Sequence, residues 1–364
     1  MKKRLIWFSW KDLKHPRSGG AEIITDFHLK NLSKKGFKVF LLTSSFKNAK
    51  KKEKNSHYTV IRFGNYFTCQ IYYFFKFFLN FKFKKDDFIF EEINTIPFYI
   101  FLIKKNNIKL FFHQLTEIIW FYETIFPISI FGFIFEKINL KFISKKSIKI
   151  IVPSNSTKNN LINYGVKKNL IFVSENLNFF KPNTLYVPNA KTFVQKKIIT
   201  FIGEIRKMKR LEQIISIYRQ IKKIDSEVQL KIIGISKTNY AKNLILKNND
   251  INFLGFVDNS KKIEILKKTS FLISCSVKEG WGLTITEANQ FGTPAIVYKV
   301  DGLIDSVRDG HNGIIIEDGN KKEMIKMIDF YLQPDNHPIY IELRRKTHNH
   351  YLNQIKSLNT HELL

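Results

Sequence analysis

Two glutamates flank a pair of glycines in the second half of this 364-residue chain. Glu279 comes directly before Gly280-Trp281-Gly282, and Glu287 lies eight residues further on, within a stretch of helical pattern. Glycines just before a helix allow backbone N–H groups to approach a phosphate, whose charge the positive end of the helix favours. Ionised carboxylates accept several hydrogen bonds, which suits the vicinal hydroxyls of a sugar or a ribose. The segment therefore predicts a diphosphate site beside a hydroxyl site, although a plain turn with solvated glutamates is the alternative.

A second glycine pair, Gly19 and Gly20, follows the first predicted strand and precedes a helix predicted over residues 21–35. Without side chains, these two residues would let the loop close over a ligand. Alternatively they only cap the helix, because glycine is modestly favoured at that position. The residues themselves leave both interpretations open.

Short β-branched and aromatic runs alternate with helical patterns around both glycine pairs, which is typical of βα units and parallel sheets. The strands predicted in the first half cover residues 4–9, 38–43, 59–63, 88–91, 109–113 and 149–153. Those predicted in the second half cover residues 198–203, 229–234, 251–254, 270–274, 294–298 and 313–316. Ligands bind at the carboxyl ends of the strands in such sheets, so we expect the chemistry in the loops that follow strands.

The length of the chain exceeds what one hydrophobic core usually supports, so two domains are expected. Between residues 174 and 196 the alternation fades into Asn, Pro and Lys, which indicates a linker. We therefore predict an α/β protein with two Rossmann-like, doubly wound parallel-sheet domains, residues 1–185 and 186–340. Residues 341–364 are predicted to form a C-terminal helix. One alternative is that this helix crosses back to the first domain.

Composition limits the cellular setting. Only two cysteines occur, Cys69 and Cys275, and they form no metal-ligand pattern, so a reducing compartment fits best. The first ten residues contain too short an apolar stretch for a signal peptide, and the longest apolar run, residues 125–135, is well short of a bilayer span. We expect a cytoplasmic protein without a transmembrane helix.

The formal net charge of +29 attracts anions of any kind, including nucleic acid, acidic lipid headgroups and phosphorylated small molecules. An equally simple explanation is a biased residue supply, because Lys, Asn, Ile and Phe are abundant throughout the chain. The sign of the charge alone does not choose among these partners.

The segment over residues 71–85, IYYFFKFFLNFKFKK, mixes aromatic side chains with lysines. As an amphipathic helix it could lie on an anionic membrane. Its aromatic residues fall on nearly every side, however, which equally suits a helix packed on the sheet, and we favour packing. Peripheral contact with an anionic membrane stays open as the alternative.

Residues 274–313 resemble the signature of retaining GT-B glycosyltransferases of family 4, in which two glutamates are separated by seven residues. Gly292-Thr293-Pro294 and the segment over residues 302–310 continue the resemblance. It implies a GT-B fold, with two Rossmann-like domains that face each other across a cleft. The first would be the acceptor side, and the second would hold most of the nucleotide sugar.

The resemblance also implies roles for individual residues. In that family the first glutamate holds the donor sugar and the second holds the ribose, and these roles fall on Glu279 and Glu287. Backbone groups of Gly282, Leu283 and Thr284 would take the diphosphate. The family often has proline in place of Thr284, a mild change because this contact is made by backbone.

The first loop, residues 10–22, resembles the family's first loop, which faces the donor phosphates and the acceptor. This resemblance implies a ligand role for Gly19 and Gly20. Capping of the following helix stays open as the alternative.

The segment after Gly203 matches the family less closely. The family usually has an arginine directly after this glycine and a lysine five residues further on, and here Glu204 replaces the arginine while Lys209 matches the lysine. The resemblance implies that Lys209 neutralises the charge of the leaving phosphate by direct contact. Either Arg206 or Lys207 replaces the arginine, or the phosphate clamp is weaker than usual, or the run is a solvated helix start.

His113 ends a predicted strand and Glu92 directly follows one, and with their neighbours, which include Glu123, they resemble a subset of the family. The resemblance implies that His113 lies close to the transferred sugar. An imidazole there could donate to a hydroxyl or interact with the developing charge. A lone histidine is more often merely packed, so its role stays open.

The resemblance implies retaining transfer of a hexose-type sugar from a nucleotide diphosphate sugar to a glycan or lipid-linked acceptor, without a metal or other cofactor. No cluster of Asp, His and Cys with metal-binding spacing in the sequence argues otherwise. Two alternatives stay open: a GT-B sugar-nucleotide epimerase, and a basic protein that binds anionic surfaces or nucleic acid and lacks catalysis. The second explains none of the paired motifs, so nucleic acid is not the expected partner.

Overall fold

The computed structural model describes residues 3–79, 83–103, 107–174, 197–235 and 238–357. The linker predicted over residues 174–196 lies outside the described residues, except for Ser174. The end of the predicted C-terminal segment, residues 358–364, also lies outside them.

The described residues form two compact units. The first contains residues 3–117 and 131–174, and the second contains residues 118–130 and 197–357. The segment over residues 118–130 therefore groups with the second unit, although it lies inside the stretch predicted as the first domain. The boundary predicted at residues 185 and 186 falls outside the described residues.

The first unit is built on a mostly parallel sheet. Its strands are β1 (Arg4–Phe8), β2 (Lys38–Thr43), β3 (Lys52–Lys54), β4 (Tyr58–Arg62), β5 (Phe88–Ile93), β6 (Ile108–Phe112), β7 (Lys149–Val152) and β8 (Ile171–Val173). In the described part of the chain they lie in the order β3-β4-β2-β1-β5-β6-β7-β8. Neighbours pair in parallel, except that β3 pairs antiparallel with β4.

The helices of the first half are α1 (Gly20–Lys34), α2 (Cys69–Leu79), α3 (Ile100–Ile103), α4 (Ile119–Glu123), α5 (Ile128–Ser144) and α6 (Asn155–Asn163). Successive residues of a strand point to opposite faces of the sheet. Phe8 therefore packs against Phe77 of α2, with ring centroids 5.1 Å apart, while Trp7 stacks on His28 of α1 at 6.2 Å. Helices cover both faces, as in a doubly wound fold.

The second unit contains a fully parallel sheet. Its strands are β9 (Ile198–Ile202), β10 (Gln229–Ile233), β11 (Asn252–Gly255), β12 (Phe271–Ser274), β13 (Ala295–Tyr298) and β14 (Gly313–Ile316). Among the described residues their order is β11-β10-β9-β12-β13-β14. Every residue of β13 is buried, as expected for a strand covered on both faces.

The strand order of the second sheet reverses between β9 and β12. From β9 the chain builds outward to β10 and β11, and it then crosses to the other side of β9 to form β12. The loops that follow β9 and β12 consequently leave the sheet side by side. In open α/β sheets ligands bind at such a reversal point, beyond the carboxyl ends of the strands.

The second unit also contains helices α7 (Leu211–Ile224), α8 (Asn239–Leu246), α9 (Asn259–Lys268), α10 (Leu283–Asn289), α11 (Leu303–Ser306), α12 (Lys321–Leu332) and α13 (His337–Ser357). Buried hydrogen bonds attach α13 to this unit: Tyr340 donates to the carbonyl of Ser270 at 3.0 Å, and Arg344 donates to that of Thr269 at 3.0 Å. None of the helices in the described ranges combines the length and the apolar character that a bilayer span requires.

Candidate functional site

A lysine and a glutamate meet where the second sheet reverses. Lys209 lies at the end of a 3-10 turn, Lys207–Lys209, that follows β9, and Glu279 lies in the loop after β12. The Nζ of Lys209 donates a hydrogen bond to Oε1 of Glu279, and both side chains are largely buried. Ser276 Oγ donates to the same oxygen at 2.7 Å. Two residues that the sequence predicts as site residues, 70 positions apart, are therefore in direct contact.

The backbone of Glu279 is fixed by the loop that follows β13. Its N–H donates to the carbonyl of Asp301 at 2.9 Å, and the side chain of Lys278 donates to Asp301 Oδ2 at 2.8 Å. Gly302 has a φ of +78°, and a Cβ there would lie 2.2 Å from the carbonyl oxygen of Glu279. Only glycine therefore allows these two loops to pack so closely.

Gly282 begins the short helix α10 from a left-handed conformation, with a φ of +88°. A Cβ there would lie 3.0 Å from both Ile285 Cδ1 and Ser306 Oγ, so the position is crowded as well as left-handed. The preceding Trp281 is buried, and its Nε1 donates to Thr286 Oγ1 at 3.1 Å, which pins the turn to the helix. The turn is thus rigidly held.

The predicted diphosphate-binding backbone lies at the accessible beginning of α10. Gly280, Gly282, Leu283 and Thr284 are each partly exposed. Thr284 is the second residue of the helix, a first-turn position where proline also fits, so the departure from the family pattern is compatible with this geometry.

Glu287, in the middle of α10, has a different partner from Glu279. Its Oε1 accepts a hydrogen bond from Lys262 Nζ of α9 at 2.7 Å, and both side chains are partly exposed. The two predicted glutamates therefore each bind a lysine, although the sequence analysis gives Lys262 no role.

Helix α4 braces the basic turn that carries Lys209. Glu123 accepts a hydrogen bond from the backbone N–H of Met208 at 3.0 Å and another from Arg206 Nε at 3.1 Å. Ile119, at the beginning of α4, packs with Met208 in a small buried cluster. Arg206, predicted as a phosphate ligand, thus has its Nε engaged by Glu123, and only its terminal amino groups remain for an anion.

The carboxylate of Glu204 also lies near Arg206, at 4.0 Å from the guanidinium. Glu204 is exposed and occupies the place where the family usually has an arginine. The carboxylates of Glu123 and Glu204 therefore both lie near Arg206 and lower the net positive charge of this part of the turn. Lys209 is then the main cation of the turn on the side of Glu279.

Gly19 caps helix α1 of the first unit. It occupies the N-cap position in an extended conformation, and its N–H donates to Glu22 Oε2 at 2.6 Å. Lys11 lies 3.1 Å from the other oxygen of Glu22. Gly19 and Gly20 are both exposed, so the capping role and the predicted ligand role are compatible at this loop.

His113 is joined to the buried carboxylate of Glu92. His113 Nε2 hydrogen-bonds to Glu92 Oε1, while Trp7 Nε1 donates to Oε2 at 3.1 Å and Thr25 Oγ1 donates to Oε1 at 3.1 Å. Burial alone would raise the pKa of Glu92, but the charge and hydrogen bond of His113, with hydrogen bonds from Ser9 and Trp7, hold this pKa below its ordinary value. The carboxylate is therefore ionised and orients the imidazole, whose Nδ1 is the nitrogen left for another contact.

Within the described residues, no group of three or more His, Cys, Asp or Glu side chains is placed to hold a metal ion. Independence from metals nevertheless stays a prediction, because a nucleotide diphosphate can itself supply ligands.

Residues 187–349 match the sequence family of glycosyl transferases group 1. This part of the chain is similar to that family. An uncharacterized glycosyltransferase of Methanocaldococcus jannaschii is 27% identical to it over 213 residues, which are 54% of this chain and 54% of the relative. The chain spans about half the length of the curated relatives that it matches.

Solved structures resemble this chain over nearly its whole length. A sucrose-phosphate synthase from Thermosynechococcus elongatus has a TM-score of 0.76 and 17% identity, covering 97% of this chain and 94% of that structure. Anabaena HepE, in complex with UDP and glucose, has a TM-score of 0.69 and 15% identity, covering 97% of this chain and 95% of HepE. The similarity establishes the fold, and the predicted GT-B class with two Rossmann-like, parallel-sheet domains is confirmed.

The partners of the predicted site residues were not predicted from the sequence. Glu123 lies 85 positions before Met208, and Lys262 lies 25 before Glu287. Lys262 lies in no motif, and Glu123 belongs only to the neighbours of His113 that resemble a subset of the family, with no role predicted for it. Ser276, three residues before Glu279, lies beside the glycine-rich turn.

Proposed function

We propose that this chain is a retaining glycosyltransferase that moves a hexose-type sugar from a nucleotide diphosphate sugar to a glycan or lipid-linked acceptor, without a metal ion or other cofactor. The contact between Lys209 and Glu279 at the reversal point of the second sheet carries the proposal. A cation and a carboxylate beside the amides that begin α10 suit the two ends of a sugar diphosphate, its phosphates and its hydroxyls.

Stabilising the leaving diphosphate is the main task of the site, because the transfer separates charge between the sugar and the departing anion. Lys209 brings an ammonium group on a turn that Glu123 holds in place. The amides of Gly282, Leu283 and Thr284 bring donors at the positive end of α10. These groups are fixed before the reaction, so they require little reorganisation when the negative charge develops.

Glu279 binds the hydroxyls of the donor sugar in this proposal. Its described hydrogen bonds, from Lys209 and Ser276, both end on Oε1, which leaves Oε2 for sugar hydroxyls. The tight packing at Gly302 keeps the carboxylate at a constant position. A fixed sugar converts binding energy into the proximity that the transfer requires.

Glu287 binds the ribose hydroxyls of the nucleotide. Lys262 holds its carboxylate from one side, through a 2.7 Å contact with Oε1. Because the pair is partly exposed, the remaining lone pairs of the carboxylate stay accessible to a ligand.

The first domain is the acceptor side, and His113 is its candidate polar group near the transferred sugar. The hydrogen bond with Glu92 supports this role, because an ionised carboxylate on Nε2 sets the orientation and the tautomer of the imidazole. Nδ1 would then face the ligand. No side chain is proposed as a nucleophile or base, and a phosphate oxygen of the donor would take the proton of the acceptor.

HepE was solved with UDP and glucose, which supports a UDP-hexose as the first donor to test. We also propose a cytoplasmic location. The enzyme would then meet its nucleotide sugar substrate in the cytoplasm. Peripheral contact with an anionic membrane would bring a lipid-linked acceptor within reach.

A thermal-shift panel of nucleotide sugars tests the donor site directly. We expect one donor to stabilise the wild type by roughly 2.7 kcal/mol at a hundredfold excess over its Kd. Glu279→Ala should lose most of this stabilisation. Glu317→Ala is the matched control, because Glu317 also binds a lysine, Lys299, at 2.6 Å, but in an exposed pair.

Equal shifts for the wild type and Glu279→Ala would count against the assigned site. Incubation of the best donor without an acceptor adds a second readout, since an isomerised nucleotide sugar would indicate an epimerase. Binding to nucleic acid that falls steeply with salt, together with no turnover of any nucleotide sugar, would favour the non-catalytic basic protein.

A further inference from the structure

Helix α5 exposes a row of large apolar side chains. Phe131 is 69% exposed and Ile138 is 63% exposed. Ile134, Phe135 and Phe142 are exposed as well. These five residues recur every three or four positions, so they form one continuous apolar stripe along the outer side of the helix.

The opposite side of α5 is fixed to the first unit, so the stripe cannot turn inward. Glu136 accepts hydrogen bonds from the backbone N–H groups of Thr116 and Glu117, both at 2.7 Å. Asn139 Oδ1 accepts a hydrogen bond from the hydroxyl of Tyr99 at 2.6 Å. The packed side of this helix therefore buries polar side chains beside Leu140 and Ile143, while the outer side exposes apolar ones.

Lysines border the stripe. Lys137 and Lys141 are exposed along the helix, and Lys145 is exposed directly after its end. Between residues 131 and 146 the sequence contains one acid, Glu136, and it is buried against the backbone of the first unit. The outer surface of α5 is thus both apolar and cationic.

Helix α2 adds a second apolar row on the same side of the sheet. Phe77 of α2 shares a hydrophobic core with Leu140 and Ile143 of α5. Other α2 side chains point outward, and Phe78 is 64% exposed. The exposed apolar residues of α2 are Ile71, Tyr72, Phe75 and Phe78. One side of α2 is therefore packed on the sheet and the other is exposed, and contact with a membrane stays a prediction.

We propose that the outward residues of α2 and α5, the α2–α5 face, dock this protein onto an anionic membrane surface. The face consists of Ile71, Tyr72, Phe75, Phe78, Phe131, Ile134, Phe135, Lys137, Ile138, Lys141, Phe142 and Lys145. Phenylalanine and isoleucine enter the boundary between headgroups and acyl chains, while lysines bind acidic headgroups. Exposed apolar residues that lie next to one another and are bordered by polar ones mark an interaction surface.

Charge favours a lipid surface over a second copy of this chain. In a two-fold dimer the same patch would face itself, so the lysines of the two copies would approach one another without acids to pair with. Anionic headgroups instead attract these lysines, at any orientation of the helix axis in the plane of the membrane. The reason for docking, access to an acceptor, rests on the proposed function. Binding to the membrane itself involves no donor.

Vesicle sedimentation with the full-length protein tests the proposal. We expect binding to vesicles of phosphatidylcholine and phosphatidylglycerol and much weaker binding to phosphatidylcholine alone. The apolar variant Phe131→Ser, Ile138→Ser, Phe142→Ser and the charge variant Lys137→Gln, Lys141→Gln, Lys145→Gln should each bind anionic vesicles at least about tenfold more weakly. The control variant Leu246→Ser, Phe256→Ser removes two similarly exposed apolar residues of the second unit and should bind like the wild type.

Three results would overturn the docking surface. The wild type could fail to bind anionic vesicles, or the control variant could lose as much binding as the apolar variant. Light scattering could also show a dimer that the apolar variant dissociates, which would identify the face as a contact between copies. Thermal shifts with the best nucleotide sugar, measured on the same variants, keep this test separate from that of the donor site, because neither set of residues lies in the second unit's site.

Discussion

Glu123 accepts a hydrogen bond from the backbone N–H of Met208 at 3.0 Å, and its other oxygen accepts one from Arg206 Nε at 3.1 Å. Lys209 follows Met208 in the same turn, and its ammonium group reaches Glu279. A short helix from the first half of the sequence therefore sets the position of the lysine that we propose to contact the leaving phosphate.

Substitution of Glu123 should weaken donor binding although the residue touches no proposed substrate atom. Glu123→Ala removes both hydrogen bonds, and we expect donor affinity to fall about tenfold, as for the loss of one to two hydrogen bonds. Glu123→Gln keeps an acceptor for Met208 and should lie between Ala and the wild type. Calorimetric titration with the best donor of the panel measures these affinities.

Glu204→Gln is the control for this series, because Glu204 also lies near Arg206, at 4.0 Å, but makes no contact with the backbone of the turn. It should bind the donor at least as well as the wild type. Wild-type affinity in Glu123→Ala would refute the bracing role of α4.

Lys209→Met should abolish most of the transfer while leaving the fold intact. Loss of a preorganised charge at a leaving group costs about 100-fold to 1,000-fold in kcat. Lys207→Met, in the same turn but exposed, should change kcat little. Single-turnover measurements give the transfer rates of the two variants. Equal losses of rate would mean that the total positive charge of the turn is important, and not the position of Lys209 beside Glu279.

Gly302→Ala should destabilise the second domain by much more than the backbone strain of an alanine in the left-handed region. Gly319 has a nearly identical φ, +79° against +78°, but a Cβ there would meet nothing within 4 Å. We expect Gly319→Ala to lower the free energy of unfolding by about 1 kcal/mol, from backbone strain. Gly302→Ala adds a clash with the carbonyl oxygen of Glu279 and should cost at least about 3 kcal/mol.

Urea denaturation of both glycine variants measures the difference. The Gly302 variant should also lose the donor-dependent thermal shift, since its clash displaces Glu279. Equal destabilisation of the two variants would show that the loops after β12 and β13 can separate at little cost.

The sequence predicted the elements that form the proposed donor site, but not the contacts that hold these elements together. The alternation of strands and helices and the glycine-rich turn are local patterns, so Glu279 and Gly282 could be placed from neighbouring residues alone. Contact of Lys209 with Glu279 follows from the reversal of strand order between β9 and β12. The role of Glu123 depends on tertiary packing across 85 positions, which leaves no local signal.

The first sheet gives a similar lesson at its edge. Strand β3 has the sequence Lys-Glu-Lys with two exposed side chains, and an edge strand with charged residues has no apolar period to reveal it. Periodicity could not separate the two interpretations of residues 71–85 either. The buried Phe77 and the exposed Phe78 are the same residue type, so the sequence does not show which side of the helix is packed.

Glu91 should make the stability of the first domain depend on pH. Its side chain is fully buried, which raises its pKa to about 7, although hydrogen bonds from the backbone N–H groups of Phe101 and Tyr99 oppose the shift. A carboxyl group whose pKa is higher in the folded state stabilises the fold fully below the unfolded pKa. That stabilisation is lost as pH rises through about 7.

The matched variant is Glu91→Gln, which does not titrate. The unfolding free energy of the wild type relative to this variant should fall by about 3 kcal/mol between pH 4 and pH 8. Urea unfolding of both proteins across this range gives the difference, in which other titrating groups cancel. A difference that stays constant with pH would show that Glu91 is ionised in the fold.

The placement of residues 118–130 in the second unit means that its folded body is assembled from two separate stretches of chain. A fragment that begins at residue 186 would contain Lys209, Glu279 and Glu287 and would still lack the helix that anchors the basic turn. Such a fragment would contain all the residues of the glycine-rich segment, but its Lys209 would lack the support of Glu123. A fragment that also includes residues 118–130 would keep this support.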